Sequence, residues 1–202
     1  MTIWFATNNT HKKAELQEIL NMPLKIPSEE GISFDPEESA QTFSENALIK
    51  ARELKKILKN SDDIVIADDS GICVDALNGR PGVFSARYGD ENGKKLPQEQ
   101  KNLKLLDELG ENKVRSARFI CAMALLWDHN RFIIVQETTE GQIVGKNEIR
   151  GQGGFGYDPI FLLPNLGKTL AELSAEEKNG LSHRGKAGDA IGVILRRVIE
   201  KR

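Results

Sequence analysis

Ile64-Val65-Ile66-Ala67-Asp68-Asp69-Ser70-Gly71 is the stretch on which the fold turns. Four apolar residues in a row, three of them β-branched, read as a short strand buried on both faces. The run then stops abruptly at two adjacent carboxylates and a Ser-Gly pair. Carboxylates at the C-terminal end of such a strand point into the crevice where α/β proteins bind ligands. Two neighbouring Asp side chains are costly there unless they are solvated, hydrogen-bonded or metal-bound. A hard cation such as Mg2+ takes one or two carboxylates and completes its shell with phosphate oxygens and water. The plainer alternative is a solvated turn closed by an Asx hydrogen bond.

Working toward the N-terminus, Thr42 and Glu45 have the spacing of a capping box. The helix they would start carries Ala47, Leu48, Ala51, Leu54 and Leu58 on one face. Residues 21–41 are acidic and loop-like, with Pro23, Pro27 and Pro36. Glu37 or Glu38 in this loop offers a third carboxylate, though an exposed acidic loop explains both. The chain opens on a buried strand, Ile3–Ala6, and a turn cluster, Thr7-Asn8-Asn9-Thr10. A helical pattern follows from Lys12, with Ala14, Leu16, Ile19 and Leu20 apolar. The exposed N–H groups and dipole of a helix start favour an anion, and Lys12 adds a point charge. The spacing is not that of the Gly-rich triphosphate loop with its Lys-Ser/Thr pair.

Toward the C-terminus, residues 78–95 are rich in Gly, Pro and charge and read as loop. Pro97 suits the first turn of a helix running to Leu109. Residues 114–127 and 131–139 read as two strands joined at Asp128-His129-Asn130. Gly141 to Gly156 is glycine-rich, Ile160 to Leu163 is another short strand, Ser174 and Glu177 mark a second capping box, and residues 187–200 form a final amphipathic helix. Strands and helices alternate early and a hairpin intrudes midway. The expected fold is α/β, with a mixed twisted central sheet and flanking helices.

Two further segments carry chemistry. Gly151-Gln152-Gly153-Gly154-Phe155-Gly156 matches G-x-G-x-x-G literally, but a dinucleotide fingerprint must follow a strand and open a helix. Here Tyr157-Asp158-Pro159 and a strand follow instead. What remains is a flexible loop with two aromatics and an acid, and Phe155 or Tyr157 could stack on a planar base. Ser182-His183-Arg184-Gly185, with Lys178 upstream, supplies donors for a base carbonyl or a phosphate; a capped helix start with surface cations is the alternative. His11 and His129 lie in turn-like sequence and are expected to be exposed. No Ser-His-Asp or Cys-His arrangement and no zinc spacing stands out.

The 202 residues carry a net charge of -2, which argues against a long polyanionic partner such as nucleic acid. Cys73 and Cys121, the only cysteines, sit in strand-like runs and are expected to be reduced and packed. No apolar run approaches the ~20 residues of a membrane span. The opening Met1-Thr2-Ile3-Trp4-Phe5-Ala6 is not a signal sequence, so a cytoplasmic protein is expected.

Taken together, six segments resemble the inosine triphosphate pyrophosphatase family, which hydrolyses non-standard purine nucleoside triphosphates. They are Thr7-Asn8-Asn9-Thr10-His11-Lys12, Thr42-Phe43-Ser44-Glu45-Asn46-Ala47, Ala67-Asp68-Asp69-Ser70-Gly71, Pro81-Gly82-Val83-Phe84-Ser85-Ala86-Arg87-Tyr88, Gly153-Gly154-Phe155-Gly156-Tyr157-Asp158-Pro159-Ile160-Phe161 and Ser182-His183-Arg184. They span nearly the whole chain, in the family's order. The resemblance implies a single catalytic domain, 1–202, of two packed lobes with a central groove. It also implies a homodimer, a Mg2+ cofactor and cleavage between the α and β phosphates of inosine, deoxyinosine or xanthosine triphosphate. The family's phosphate loop falls on Thr7, Asn8, Asn9, Thr10, His11 and Lys12. Its catalytic, metal-linked acid falls on Asp69 and its metal-binding acid on Glu38; Asp68, beside them, is expected as a further metal-binding acid. Its other substrate contacts fall on Ser70, Phe155, Gly156, Tyr157, Asp158, Lys178, His183 and Arg184. Asn8 stands where many members have Gly, and Asn tolerates a positive φ better than most residues. Two rivals of other kinds use the same cations and aromatics: a non-catalytic nucleotide sensor and an enzyme clearing modified pyrimidine nucleotides.

Overall fold

The decisive strand is longer than its apolar run. In the computed structural model, which describes residues 1–91 and 93–201, β2 spans Ile64–Val74 and carries Asp68, Asp69 and Ser70 in its interior. The expected turn after Ala67 is absent. Ile72, Cys73 and Val74 are strand formers, and both carboxylates are ion-paired, so the strand has no reason to stop.

The strands are β1 (Ile3–Phe5), β2, β3 (Ser116–Leu126), β4 (Phe132–Ile143), β5 (Phe161–Leu163) and β6 (Lys168–Thr169). They hydrogen-bond in the order β1-β2-β3-β4-β5-β6. β1 runs parallel to β2, with Ile3, Trp4 and Phe5 opposite Ile64, Val65 and Ile66. β5 is antiparallel to both β4 and β6. The sheet is therefore mixed. The helices are α1 (Thr10–Leu20), α2 (Phe43–Ile57), α3 (Gln98–Leu109), α4 (Ala175–Leu181) and α5 (His183–Glu200). Among the described residues, no helix is long and apolar enough to cross a membrane. Both cysteines are free thiols, in β2 and β3 as expected, and burial pushes the Cys121 thiol up to about 12.

The chain forms two compact units. The first takes Met1–Ser70, Cys121–Glu137 and the C-terminal segment from His183. Its core joins Phe5, Leu16, Leu20, Ile64, Ile66, Met123, Ile191 and Leu195. Each such side chain contributes about 1.5–3 kcal/mol on leaving water. Successive strand residues face opposite ways. Ile64, Ile66 and Asp68 therefore look toward α1 and α5, whereas Val65, Ala67 and Asp69 look toward α2. Helices α1 and α5 run parallel, pairing Arg184 with Glu15, Gly188 with Leu16 and Ile19, and Gly192 with Leu20. A Cβ on Gly188 would lie 2.9 Å from Ile19 Cγ2, so the helices approach closely only because glycine is there. The final helix starts at His183, four residues earlier than the pattern suggested.

The second unit takes Gly71–Ile120 and Thr138–Ser182. Its core gathers Ile72, Val74, Leu105, Phe119, Ile160, Phe161 and Leu170. The rings of Phe119 and Phe161 lie 4.7 Å apart. Ser174 caps α4 and Glu177 answers it, as the spacing predicted.

Candidate active site

Three cations and four carboxylates meet at the middle of β2 in the first unit. The α1 side is built on Asp68, which is 1% exposed. Asn9 caps α1 by accepting from Lys12 N, and Thr7 Oγ1 accepts from Asn9 N. This sets Lys12 in the first helical turn. Its Nζ donates to both Asp68 oxygens, at 3.0 and 2.8 Å. From α5, Arg184 Nη2 donates to Asp68 Oδ2 at 3.4 Å and to Ser70 Oγ at 3.0 Å, while Nη1 donates to Glu15 Oε2 at 2.6 Å. Burial alone would raise the Asp68 pKa; Lys12, Arg184 and Lys50 outweigh it and hold that carboxyl well below its usual range. Burial would likewise lower the Arg184 pKa, but Asp68 and Glu15 hold it above the ordinary value.

The α2 side is built on Asp69. Lys50 Nζ donates to Asp69 Oδ1 at 3.1 Å and to Glu38 Oε1 at 2.7 Å. Asn46 Nδ2 donates to Asp69 Oδ2 at 3.2 Å, and Asn46 also holds Ala40 through both its N–H and its carbonyl. Asn46 thus fixes the acidic loop and the Asp69 carboxylate at once. Burial pushes the Asp69 pKa up and Glu38 adds to this, against the pull of Lys50. Lys50 stays charged: burial opposes it, but Asp69, Asp68 and Glu38 together raise its pKa.

Other expected residues lie around these two acids. Asp68, expected among the metal ligands, accepts from Lys12, Arg184 and Ser70. Asn8 does not adopt a positive φ; among the described non-glycine residues only Asn21 and Asn78 do. Asn8 Nδ2 instead donates to Phe34 O at 2.6 Å, a tether glycine cannot make. Thr10 and His11 are exposed in the first turn of α1, and Thr7 is half-buried. His183 is 5% exposed at the start of α5.

Asn46, Lys50 and Glu15 were missed. Asn46 and Lys50 share the α2 face of Phe43, Ala47, Ala51 and Leu54, all buried. A lysine four residues after an asparagine on an apolar face was the available signal. Leu48 and Leu58, expected there, are only half-buried.

The second unit carries a separate cluster. Asp158 Oδ2 accepts from Phe155 N at 2.8 Å and from Lys178 Nζ at 2.9 Å. Lys178 Nζ also lies over the half-buried Phe155 ring, 4.9 Å from its centroid. Gly154 has φ 70°, and a Cβ there would fall 2.1 Å from Asp158 Oδ2, so only glycine fits. Gly156 O accepts from Asn102 Nδ2 at 3.2 Å. Tyr157 is not a stacking surface. It is 4% exposed, belongs to the core, and its hydroxyl donates to Ser85 O at 2.8 Å. The hydroxyl needs a buried acceptor, and that requirement turns the ring inward.

Among the described residues, no group of three or more His, Cys, Asp or Glu side chains is arranged to hold a metal ion. The donor set at Asp69 and Glu38 nevertheless fits a divalent cation. Two hard carboxylates converge on one positive charge, the Lys50 ammonium, and Glu38 keeps a side-chain exposure of 29%. Asp68 and Glu15 balance Lys12 and Arg184, whereas Asp69 and Glu38 exceed Lys50 by one charge. The surplus negative charge lies on the α2 side.

Comparison with known proteins identifies the family. The Ham1 family profile matches residues 3–192. The dITP/XTP pyrophosphatase of Treponema denticola is 53% identical, covering 93% of this chain and 94% of its own. That of Clostridium perfringens is 42% identical, covering 96% and 97%. Among solved structures, a HAM1 protein from Coxiella burnetii superposes with TM-score 0.85 at 39% identity, covering 98% of this chain and 100% of that one. The Staphylococcus aureus Ham1 protein gives 0.83 at 39% identity over 97% and 98%.

Proposed function

We infer that this chain, which belongs to the Ham1 family, hydrolyses non-standard purine nucleoside triphosphates to the monophosphate and pyrophosphate. The enzyme is a nucleoside triphosphate pyrophosphatase, and dITP and XTP, named for its relatives, head its substrates. One observation carries the mechanism: the carboxylate surplus at Asp69 and Glu38 beside the neutral Lys12–Asp68–Arg184–Glu15 cluster. A pure phosphate binder gains nothing from excess carboxylates beside its ligand, which disfavours the sensor reading.

In this proposal Mg2+ is held by Asp69 and Glu38. When bound it supplies Lewis acidity and offsets phosphate charge. Asp68 stays out of the metal shell and keeps Lys12 and Arg184 in place. Lys12, in the first turn of α1, meets the phosphate chain together with the positive ends of α1 and α5. Ser70, held by Asp68 and Arg184, presents its hydroxyl beside it. Asp69 orients a water and takes its proton as the water oxygen bonds to the α-phosphorus. The bridging α–β bond breaks and pyrophosphate leaves. Such catalysis is mainly positioning and charge stabilisation.

Phe155 stacks on the base, and Lys178, already over that ring, donates to a 6-keto oxygen. A 6-amino group would set donor against donor, and such mismatches are rejected strongly. His183 is a further donor. In this reading 1–202 acts as one catalytic domain, working as a cytoplasmic homodimer.

The test is a substrate panel with Mg2+, following pyrophosphate against orthophosphate. Pyrophosphate release from inosine, deoxyinosine and xanthosine triphosphates, well above that from ATP, is expected. Asp69→Asn should lower kcat by roughly 10²–10⁴-fold. Orthophosphate as the product, or normal turnover by Asp69→Asn, would remove this mechanism.

A further inference from the structure

Asn46 is fully buried, and both polar atoms of its side chain are bonded. Its Oδ1 accepts from Ala40 N at 3.0 Å. Its Nδ2 donates to Ala40 O at 3.3 Å and to Asp69 Oδ2 at 3.2 Å. The two main-chain groups of Ala40 fix which way the amide faces, so Asp69 meets an N–H. Asn46 lies just inside α2, one residue past Glu45, whose N–H is capped by Thr42.

Residues 32–40 form no regular element, and such a segment would ordinarily drift. This one is held at two points. Asn8 Nδ2 donates to Phe34 O, and Asn46 binds both main-chain groups of Ala40. Glu38 lies between these points. Its carboxylate accepts from Lys50 Nζ, which also donates to Asp69. The bonds close a ring: Asn46 to Asp69, Asp69 to Lys50, Lys50 to Glu38, and two residues of chain back to Ala40 and Asn46. Asn46 and Lys50 are four residues apart on one helix face, so the ring has a rigid side. A cation taken up between Asp69 and Glu38 would displace the ammonium and open that link. The bonds from Asn46 to Asp69 and to Ala40 would still tie the two acids together.

Mg2+ demands near-ideal octahedral geometry at short distances, whereas Ca2+ accepts more ligands at longer and more variable ones. Cavity size and flexibility therefore decide between the two ions. A carboxylate pair of fixed separation discriminates by size; a loosened pair adapts to either ion. We propose that Asn46 is a positioning residue that fixes the separation of Asp69 and Glu38 and so makes the pair select Mg2+ over Ca2+. The proposal rests on the reading of those two carboxylates as the metal-binding acids.

The test uses the full chain without nucleotide, at constant ionic strength. It reads the concentrations at which Mg2+ and Ca2+ half-complete their rise in thermal stability. Wild type should respond at lower Mg2+ than Ca2+. Asn46→Ser is too short to span Ala40 and Asp69. It should raise the Mg2+ midpoint about tenfold, the scale of losing a ligand's immediate support. Its Ca2+ midpoint should move less than about threefold, because the larger ion tolerates the looser pair. A purely structural Asn46 would lower the metal-free melting temperature and leave the ratio of the two midpoints unchanged; that result overturns the proposal. Hydrogen exchange in the wild type needs no variant. The Ala40 N–H should be protected before any metal is added, and Mg2+ should change its protection less than about twofold. Rapid exchange that slows only on loading would mean that the ion itself brings the acids together, and would equally overturn the proposal. Glu38→Gln controls for the underlying reading. If Mg2+ leaves wild-type stability unchanged, or if the Glu38→Gln midpoint matches wild type, the metal assignment itself is wrong, whatever Asn46→Ser does.

Discussion

Asp68→Asn removes a charge from between two buried cations, and its consequences differ sharply from those of changing its neighbour. In the wild type, Asp68 accepts two bonds from Lys12 and one each from Arg184 and Ser70. Asparagine keeps one acceptor and turns an NH2 group toward positive charge. Breaking a buried ion pair by removing one partner costs about 3–5 kcal/mol. Glu15 still neutralises Arg184, so the low end applies, about 3 kcal/mol. For a chain of this length that is a fall in Tm of roughly 6–12 °C. Urea unfolding followed by circular dichroism reads the loss directly. The pH dependence has a definite sign. The folded-state pKa of Asp68 lies below the ordinary 3.8. Its contribution is therefore complete above that value and is lost as pH falls through the folded-state pKa. The gap between wild type and variant should narrow below about pH 4. Activity supplies the second readout. If Asp68 positions cations and does not hold Mg2+, the variant loses rate while its Mg2+ requirement moves less than about twofold. Asp69→Asn should shift that requirement tenfold or more, the scale on which losing a ligand or its immediate support weakens a metal site. A stability loss under about 1 kcal/mol, or a Mg2+ requirement displaced as far as in Asp69→Asn, would refute this division of labour.

Because burial and Glu38 raise the Asp69 pKa, kcat/KM at limiting Mg2+ should fall on the acid side with an apparent pKa above 3.8; a limb at or below that value contradicts the base assignment. Phe155→Ala should raise KM for inosine triphosphate, since stacking contributes about 1–3 kcal/mol per base. Tyr157→Phe should leave KM nearly unchanged and cost about 1 kcal/mol of stability, the lost hydrogen bond to Ser85; steady-state kinetics that reverse this pair would put Tyr157 in the binding surface. Gly188→Val should destabilise by about 1–3 kcal/mol through overpacking against Ile19 and Leu16, and an unaltered urea midpoint would mean α1 and α5 are not held as described.

The sequence discloses elements better than it discloses partners. The capping residues Thr42, Glu45, Ser174 and Glu177 announced their helices because a cap is a local bond. The four-residue apolar run announced β2, but its end was misplaced at Asp68. Strand continuation there depends on Lys12, Lys50 and Arg184, contributed by three helices far away in the chain. The same nonlocality hid Asn46 and Lys50. Their side chains look polar by type, and only the surrounding Phe43, Ala47 and Ala51 mark their face as inward. In sequence Tyr157 reads as a possible stacking surface, because an aromatic beside glycines resembles one. Its orientation is decided by the Ser85 carbonyl, which no local pattern reveals.

The ammonium of Lys50, tethered between Asp69 and Glu38, offsets one of their two negative charges from within the fold. Many small metalloproteins collapse when chelated, because repelling ligands lose the ion that reconciles them. Here a lysine already stands between the two carboxylates, so their repulsion does not call for an ion to hold the fold together. In the proposed reaction an arriving divalent cation would need only to displace that ammonium, and loading would be decoupled from assembly.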